Sequence, residues 1–205
     1  MALHATAGND SSERVVVVVL AAGAGSRFAG PDHKLVASVD GRSVAERSVA
    51  SACAAAVGTV VVVTGATDLK LPGSFDIHVV HNPDWAEGQS TSLRTGIAEA
   101  RRLGADAIVV GLADQPFVDP DAWRRVAAAT SPIAVATYDG KRRNPVRLHR
   151  DVWSLLPESG DEGARSLIRQ RHDLVQEIPC PGSPADIDTQ EDLRAWQNRS
   201  STNSP

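Results

Sequence analysis

Short apolar runs alternate along the first part of the chain with segments of helical periodicity. The runs cover residues 14–20, 60–64, 77–80 and 107–112, and valine and isoleucine dominate them. β-Branched residues without regular polar alternation are typical of strands buried on both faces of a parallel sheet. Each run therefore predicts a β-strand, and the valine run of the first suits a strand buried on both faces.

Helices are predicted between these strands from capping residues and apolar spacing. Ser43 and Glu46 form a capping box, which predicts a helix to about residue 56. Apolar residues recur at helical spacing over residues 93–103, and Gly104 is placed to end that helix. Alternating strands and helices predict an α/β fold of three layers, with a mostly parallel, mixed sheet and helices on both faces.

The later part of the chain predicts a hairpin and several short helices. Strands over residues 133–138 and 144–148 flank a turn, and Pro145 places the second strand at a sheet edge or at a strand start. Further predicted elements are a helix that begins at Asp119 and Pro120, helices over residues 151–156 and 161–170, a strand over residues 174–178, and a final helix to about residue 198 with Thr189 as its cap.

Composition fits one soluble globular domain. The chain has 205 residues, of which 42% are hydrophobic and 22% charged. We see no internal repeat and no break in composition, so we expect a single domain over residues 14–198. The polar segments 1–13 and 199–205 are expected to be a flexible extension and a flexible tail. No apolar run is long enough to span a membrane, and residues 1–13 lack the pattern of a signal peptide.

Charge and cysteine content restrict the partners. The formal net charge of -4 argues against a general nucleic-acid surface, so any anion site must be built locally. Cys53 and Cys180 are not at metal-ligand spacing, and we interpret them as structural thiols in a reducing cytoplasm. We therefore predict a cytoplasmic protein without nucleic-acid or membrane partners.

The loop after the first strand carries the strongest chemical signal. It reads LAAGAGSRFAGPDHKL over residues 20–35 and contains Gly23, Gly25 and Gly30 together with Arg27 and Lys34. Glycine allows close approach of the backbone to a ligand, and a basic glycine-rich loop after a strand is typical of phosphate binding.

Two common phosphate-loop patterns do not fit this segment. The dinucleotide fingerprint needs glycine where Phe28 stands, and the nucleoside-triphosphatase loop needs Lys and Ser or Thr where Pro31 and Asp32 follow Gly30. The alternative is a tight turn between strand and helix. A turn alone needs neither Arg27 nor Lys34, so we favour a binding loop.

A second candidate element follows the strand at residues 107–112. Ligands of open α/β sheets bind beyond the carboxyl ends of the strands, so Asp114 is expected to lie opposite the basic loop. A carboxylate in that position is a suitable ligand for magnesium on a triphosphate. The other interpretation of Asp114 is a helix cap, but Asp119 is already placed to cap the next helix.

Several blocks in order resemble one enzyme family. The loop pattern L-A-A-G-x-G-x-R-x-x-G with Lys34 close behind resembles that of nucleotidyltransferases, and more narrowly of the MobA-like molybdenum cofactor cytidylyltransferases. Further matching blocks are N-P-x-W-x-x-G-x-S-x-S-L-R-x-G at residues 82–96, L-A-D-Q-P-F at 112–117, G-D-E-G-A-R at 160–165, and D-I-D-T at 186–189. Two positions depart from the family pattern: His33, where relatives often have an acidic residue, and Arg143, where many have glycine.

The resemblance implies a fold and a set of site residues. The fold is the Rossmann-like, glycosyltransferase-A-like nucleotidyltransferase fold. Catalytic roles fall on Arg27, Lys34 and Asp114, and the metal ligands would be Asp114 and Asp188. Nucleotide contacts are expected from Leu20, Ala21, Ala22, Gly23, Gly25, Arg27, Lys34, Asn82, Ser90 and Ser92, and acceptor contacts from Asp161 and Arg165. For Ser90 and Ser92 a helix-capping role stays open, as it does for Asp161.

The implied reaction is magnesium-dependent transfer of CMP from CTP to the molybdopterin (molybdenum) cofactor, with release of pyrophosphate. Alanine at position 22 matches relatives that use CTP, whereas those using GTP tend to have glycine. A molybdenum enzyme that receives the cofactor is the implied protein partner. Alternatives are transfer to another phosphorylated acceptor (a sugar, polyol or phospholactate) and a non-catalytic carrier or insertion chaperone for the cofactor. Intact Arg27, Lys34 and Asp114 argue against the carrier.

Overall fold

The computed structural model describes residues 13–28, 32–39 and 41–202. Gly30, the predicted extension up to residue 12 and the last part of the predicted tail, residues 203–205, lie outside these residues. Among the described helices, none combines the length and the apolar content that a membrane span requires.

The strands are Val15–Ala21 (β1), Ser38–Val39 (β2), Arg42–Ser43 (β3), Val60–Thr64 (β4), Ile77–His81 (β5), Ala107–Leu112 (β6), Ile133–Tyr138 (β7), Lys141–His149 (β8) and Val175–Pro179 (β9). The α-helices are Val44–Ala54 (α1), Gln89–Arg102 (α2), Pro120–Ala127 (α3), Arg165–Gln170 (α4) and Gln190–Thr202 (α5). Short 3₁₀ helices cover Lys34–Val36, Trp85–Glu87, Arg150–Leu155 and His172–Leu174.

Seven strands form one sheet in the order β5-β4-β1-β6-β8-β7-β9, and β2 and β3 form a small separate hairpin. Strand β8 runs antiparallel to β6 and β7, while the other pairings in the large sheet are parallel. The mostly parallel, mixed sheet predicted from the sequence is therefore confirmed.

Alternate residues of β1 enter opposite cores, which makes the fold three-layered. Val17 and Val19 belong to one cluster with residues of α1, α3 and α5. Val16 and Val18 belong to the other cluster, with residues of α2 and α4. Since successive strand residues point to opposite faces, an unbroken valine run supplies both cores at once.

The predicted position of Pro145 was wrong. It lies inside β8, which sits between β6 and β7 rather than at an edge. The pairing of β7 with β8 shifts at this point: Val135 pairs with Val146, but Ala136 pairs with Arg143. A bulge therefore takes up Asn144 and Pro145, so proline's missing N–H interrupts no ladder hydrogen bond.

Helix boundaries differ from prediction in the last part of the chain. The helix expected from residue 161 begins only at Arg165, because residues 161–164 form turns with Gly163 at a positive φ of 52°. Asp161 is therefore not a helix cap. The final helix reaches Thr202 instead of ending near residue 198.

Two predicted caps are confirmed by hydrogen bonds. The Ser43 hydroxyl accepts from the backbone N–H of Glu46 at 3.1 Å, and the Asp119 carboxylate accepts from that of Asp121 at 2.8 Å. These caps satisfy backbone donors that a helix start leaves free.

Candidate active site

A cleft of about 530 Å³ lies beyond the carboxyl ends of β1 and β6. This is the edge at which open α/β sheets bind ligands. Most of the predicted site residues line it: Leu20, Ala21, Ala22, Gly23, Gly25, Arg27, Lys34, Ser92, Asp114, Asp161, Arg165 and Asp188.

The glycine-rich loop forms one wall of the cleft. Gly25 has a φ of +61°, a conformation that side-chain-bearing residues rarely adopt. A Cβ at Gly25 would also lie 3.0 Å from His33 Nε2 and 3.1 Å from Lys34 Cγ. Gly25 is therefore required both for the turn and for the space that His33 and Lys34 occupy.

Lys34 lies between two aspartates at the bottom of the cleft. Its Nζ donates to Asp114 Oδ2 and to Asp188 Oδ1, each at 2.7 Å. The side chains of Lys34, Asp114 and Asp188 are 12%, 18% and 23% exposed, so water screens these ion pairs only partly. Arg27 reaches Asp188 Oδ2 at 3.1 Å from the solvent side, with its own side chain 77% exposed.

Electrostatic contacts keep Lys34 charged. Burial by itself lowers its pKa, but attraction to Asp114 and hydrogen bonds to Asp114 and Asp188 outweigh that effect, so the pKa is raised. The pKa of the nearby Asp186 carboxyl is also raised, first by burial and then by repulsion from Asp114. The site therefore holds a permanent cation among three carboxyl groups.

The carboxylates suit a divalent cation. Asp114 Oδ1 is buried and has no hydrogen-bond partner within the described part of the chain. A buried carboxylate oxygen without a partner is costly unless a cation takes it up, and magnesium and manganese prefer such oxygen ligands. Asp114 and Asp188 are therefore the residues that fit a metal at this site.

The backbone holds these carboxylates at the sheet edge. The Ile187 N–H donates to Asp114 O at 2.9 Å, which joins the segment before α5 to the end of β6. Gln115 Nε2 donates to Asp186 Oδ1 at 2.8 Å in the same layer. From the other side, Ser48 of α1 donates its hydroxyl to Ala113 O at 2.8 Å. Three segments far apart in sequence are thus joined by hydrogen bonds beneath these carboxylates.

The opposite wall comes from the turn before α2 and the loop before α4. Gly160 exchanges backbone hydrogen bonds with this turn: its N–H donates to Glu87 O at 2.9 Å, and its carbonyl accepts from Ser90 N–H at 2.9 Å. Gly88 has a φ of +108°, and a Cβ there would lie 2.4 Å from the Gly160 carbonyl carbon. This close backbone contact carries Asp161 into the cleft.

Two predicted nucleotide-binding residues do not line the cleft. Asn82 is 1% exposed, and its amide donates to Thr91 Oγ1 at 2.9 Å and Ser92 Oγ at 3.0 Å. Its polar atoms thus fix the loop before α2. Ser90 is also 1% exposed, and its hydroxyl has no partner within the described residues. Ser90 is thus buried beside the Gly160 loop and is not among the residues that line the cleft.

Several lining residues were not predicted. They are Ala24, Ser26, Leu35, Trp85, Ala86, Gly88, Gln89, Leu112 and Asp186. The N-P-x-W-x-x-G pattern already contained Trp85 and Gly88, and the D-I-D-T block contained Asp186. No sequence signal separates Ala24 or Leu112 from ordinary loop and strand residues.

The open α/β sheet, with a basic glycine-rich loop facing paired carboxylates, defines a nucleotidyltransferase. More narrowly, the chain belongs to the family of the MobA-like NTP transferase domain, whose model matches residues 17–175.

Two similar proteins span nearly the full length of the chain. Purine catabolism protein PucB of Bacillus subtilis (strain 168) is 29% identical over 198 residues, which cover 88% of this chain and 95% of PucB. Nicotine blue oxidoreductase of Paenarthrobacter nicotinovorans is 29% identical over 195 residues, which cover 87% of this chain and 94% of that protein.

Solved structures share the fold. A nucleotidyl transferase from Methanothermobacter thermautotrophicus superimposes with a TM-score of 0.76 at 25% identity, covering 93% of this chain and 99% of that structure. Rv0371c of Mycobacterium tuberculosis H37Rv in complex with manganese has a TM-score of 0.66 at 26% identity, covering 90% of this chain and 98% of that structure. The Rossmann-like nucleotidyltransferase fold implied by the resemblance is thereby confirmed.

Proposed function

We propose that this nucleotidyltransferase transfers CMP from CTP to the molybdopterin (molybdenum) cofactor in the cytoplasm, with magnesium as its metal. The observation that carries the proposal is the position of Lys34 Nζ, 2.7 Å from both Asp114 and Asp188, in a cleft beside a glycine-rich loop. That combination suits a metal-bound triphosphate. Membership of the NTP transferase family supports the nucleotide, and the resemblance supports CTP and the acceptor.

The chain's residues would act by positioning and by charge neutralisation. A terminal phosphate oxygen of the acceptor forms a bond to the α-phosphorus of CTP, the bond from that phosphorus to the bridging oxygen breaks, and pyrophosphate leaves. Because the attacking phosphate is already anionic, no protein nucleophile is needed. Arg27 and Lys34 would bind the triphosphate, while Asp161 and Arg165 would face the acceptor.

Asp114 and Asp188 would hold the magnesium. The bound ion would neutralise developing charge on the triphosphate. Two aspartates supply only part of an octahedral oxygen shell, so phosphate and water oxygens would complete it. The manganese complex of Rv0371c supports a divalent cation in this fold.

The choice of base is proposed to depend on Ala22 and its surroundings. Ala22 lines the cleft but is only 2% exposed, and a Cβ built on Gly65 would lie 2.7 Å from Ala22 Cβ. Its methyl group therefore lies close to Gly65 in the wall of the cleft. Loss of this methyl would leave more room beside a bound base, which would favour a purine over a pyrimidine.

The test is pyrophosphate release by the purified chain with CTP, GTP or ATP and a panel of phosphorylated acceptors. We expect release with CTP, magnesium and the molybdenum cofactor. Asp114→Asn serves as the inactive variant. Asp68→Asn is its matched control, since Asp68 is exposed and does not line the cleft.

Each other result selects a different function. Pyrophosphate release only with a sugar, polyol or phospholactate would show that the proposed acceptor is wrong. A preference for GTP would show that the proposed nucleotide is wrong but would leave nucleotidyl transfer as the reaction. Tight cofactor binding without release from any nucleotide would favour a carrier. One relative is named as an oxidoreductase, so NADPH absorbance is followed in parallel, and its consumption would contradict the proposal.

A further inference from the structure

A lysine ammonium lies where the proposed metal ligands converge. Of the four carboxylate oxygens of Asp114 and Asp188, Lys34 contacts one on each residue at 2.7 Å. Arg27 contacts a third at 3.1 Å, and Asp114 Oδ1 is left without a partner among the described residues. The lysine ammonium thus neutralises the same pair of groups that the proposed function assigns to magnesium.

An ammonium and a divalent cation compete for this position. Lys34 is only 12% exposed, so its charge is weakly screened at the distance of a hydrogen bond. A metal ion that entered with Lys34 in place would meet a neighbouring positive charge, and three of the four carboxylate oxygens would already contact a basic side chain. Displacing Lys34 without a new anion would leave a desolvated ammonium unpaired, which is costly.

A triphosphate supplies the anion that releases Lys34. The Lys34 stem packs beside Gly25, where a Cβ would lie only 3.1 Å from Lys34 Cγ, so the side chain starts from the binding loop itself. Lysine is a point charge on a flexible four-carbon stem, and rotation of that stem can move the ammonium from the carboxylates to a phosphate on the loop side. The carboxylates would then be free for a metal that arrives with the same phosphates.

We propose that Lys34 occupies the Asp114–Asp188 pair in the free enzyme and keeps divalent cations out until a nucleotide draws it away. Nucleotide and metal then enter together, and neither bare metal nor metal-free nucleotide forms the productive site. The inference rests on the proposed function, because it needs Asp114 and Asp188 as metal ligands. Lys34 would thereby pair with the two aspartates before the nucleotide binds and with the triphosphate afterwards.

The experiment measures manganese binding without nucleotide, by the loss of the free-ion electron paramagnetic resonance signal. We expect weak binding to the wild-type chain and binding at least about tenfold tighter to Lys34→Gln, within the usual range of coupling between two ligands. Lys70→Gln is the matched control: it removes the same charge from an exposed lysine that does not line the cleft, so its effect should stay within about threefold. Lys34→Arg keeps the charge and should bind as weakly as wild type.

Equal manganese affinity of wild type and Lys34→Gln would overturn the inference. So would a comparable gain in Lys70→Gln, which would indicate general electrostatics. If Lys34→Gln does not fold, Lys34→Met replaces it, because methionine keeps a similar side-chain length without the charge. The wild-type measurement is also a test by itself, because tight manganese binding in the absence of nucleotide would contradict the inference. Failure here with intact pyrophosphate release from CTP would leave the proposed function standing, whereas absence of release from every nucleotide would overturn that function itself.

Discussion

His33 Nε2 lies 2.9 Å from the carbonyl oxygen of Gly23, on the other side of the glycine-rich loop. Nδ1 of the same ring accepts from the backbone N–H of Leu35 at 3.2 Å. Because an amide N–H can only donate and a carbonyl can only accept, these two contacts together fit the tautomer with its proton on Nε2. His33 thus ties the loop together immediately before Lys34, at a position where the resemblance leads one to expect an acidic residue.

We predict that His33→Ala lowers kcat/KM for nucleotidyl transfer by about tenfold or more, because small misplacements of a positioning group are costly. Two lost hydrogen bonds should also lower the free energy of unfolding by about 2 kcal/mol. Steady-state kinetics and urea unfolding measure both effects. His81→Ala, at an exposed position of β5, is the control. Unchanged kinetics in His33→Ala would show that the ring only stabilises the loop.

Lys34→Ala should lower kcat/KM by about a hundredfold or more, the scale of losing one preorganised charge contact in a transition state. The assay is pyrophosphate release at saturating metal. Lys70→Ala removes an exposed lysine that does not line the cleft and should retain full activity. Near-normal turnover of the Lys34 variant would remove Lys34 from the mechanism.

Asp114→Asn should abolish most metal-dependent activity while the chain still folds. The change keeps the shape of the side chain but removes the charge that pairs with Lys34 at 2.7 Å, so we expect a loss of about 2 kcal/mol in unfolding free energy. A magnesium titration of the activity tests the first expectation, and denaturant unfolding tests the loss of stability. High residual turnover combined with much larger destabilisation would instead make Asp114 a structural residue.

Ala22→Gly should relax the preference for CTP over GTP, by a change on the order of 1–3 kcal/mol in transition-state binding. The measurement compares kcat/KM for both nucleotides with the same acceptor. Gly65→Ala is the complementary variant: its methyl would lie 2.7 Å from Ala22 Cβ and 2.8 Å from Trp85 Cβ, so this wall of the cleft must shift. We expect Gly65→Ala to weaken binding of both nucleotides. A wild-type preference for GTP would contradict the assignment of the base.

Asp186→Asn should stabilise the chain at neutral pH. Burial and repulsion from Asp114 raise the pKa of Asp186 above its ordinary 3.8, so its ionised form destabilises the fold. This cost is present above the raised pKa and disappears as the pH falls below 3.8. Thermal unfolding from pH 7 down to about pH 3.5 should therefore show a stability gain over wild type that shrinks with acidity. A gain independent of pH, or one shared by Asp68→Asn, would contradict this account.

The sequence determined the central sheet. Valine runs predicted β1, β4 and β6 because β-branched residues without polar alternation suit strands covered on both faces. Capping residues at Ser43 and Asp119 predicted two helix starts correctly, since a cap depends on contacts only two or three residues away. Local rules succeeded wherever the deciding interaction was local.

Elsewhere the structure depends on tertiary contacts that the local sequence pattern does not contain. Pro145 predicted an edge or strand start, but the bulge opposite Val135 and Ala136 accommodates it between two other strands. For Asn82, which the resemblance placed among the nucleotide contacts, the structure shows amide hydrogen bonds to Thr91 and Ser92. Neither feature can be predicted from the local sequence, because each depends on a partner strand or on side chains that the fold brings close.

By itself, the sequence determined that a basic, glycine-rich loop and an aspartate after another strand face the same sheet edge. Tertiary structure decided what these residues contact. Lys34 meets Asp114 across 80 residues and Asp188 across 154, and no local pattern encodes contacts of that range. They exist because β1 and β6 are neighbours and because the Ile187 N–H bonds to Asp114 O. Burial in that cleft then strengthens the attraction between Lys34 and the two aspartates, since weakly screened charges interact far more strongly than the same charges in water.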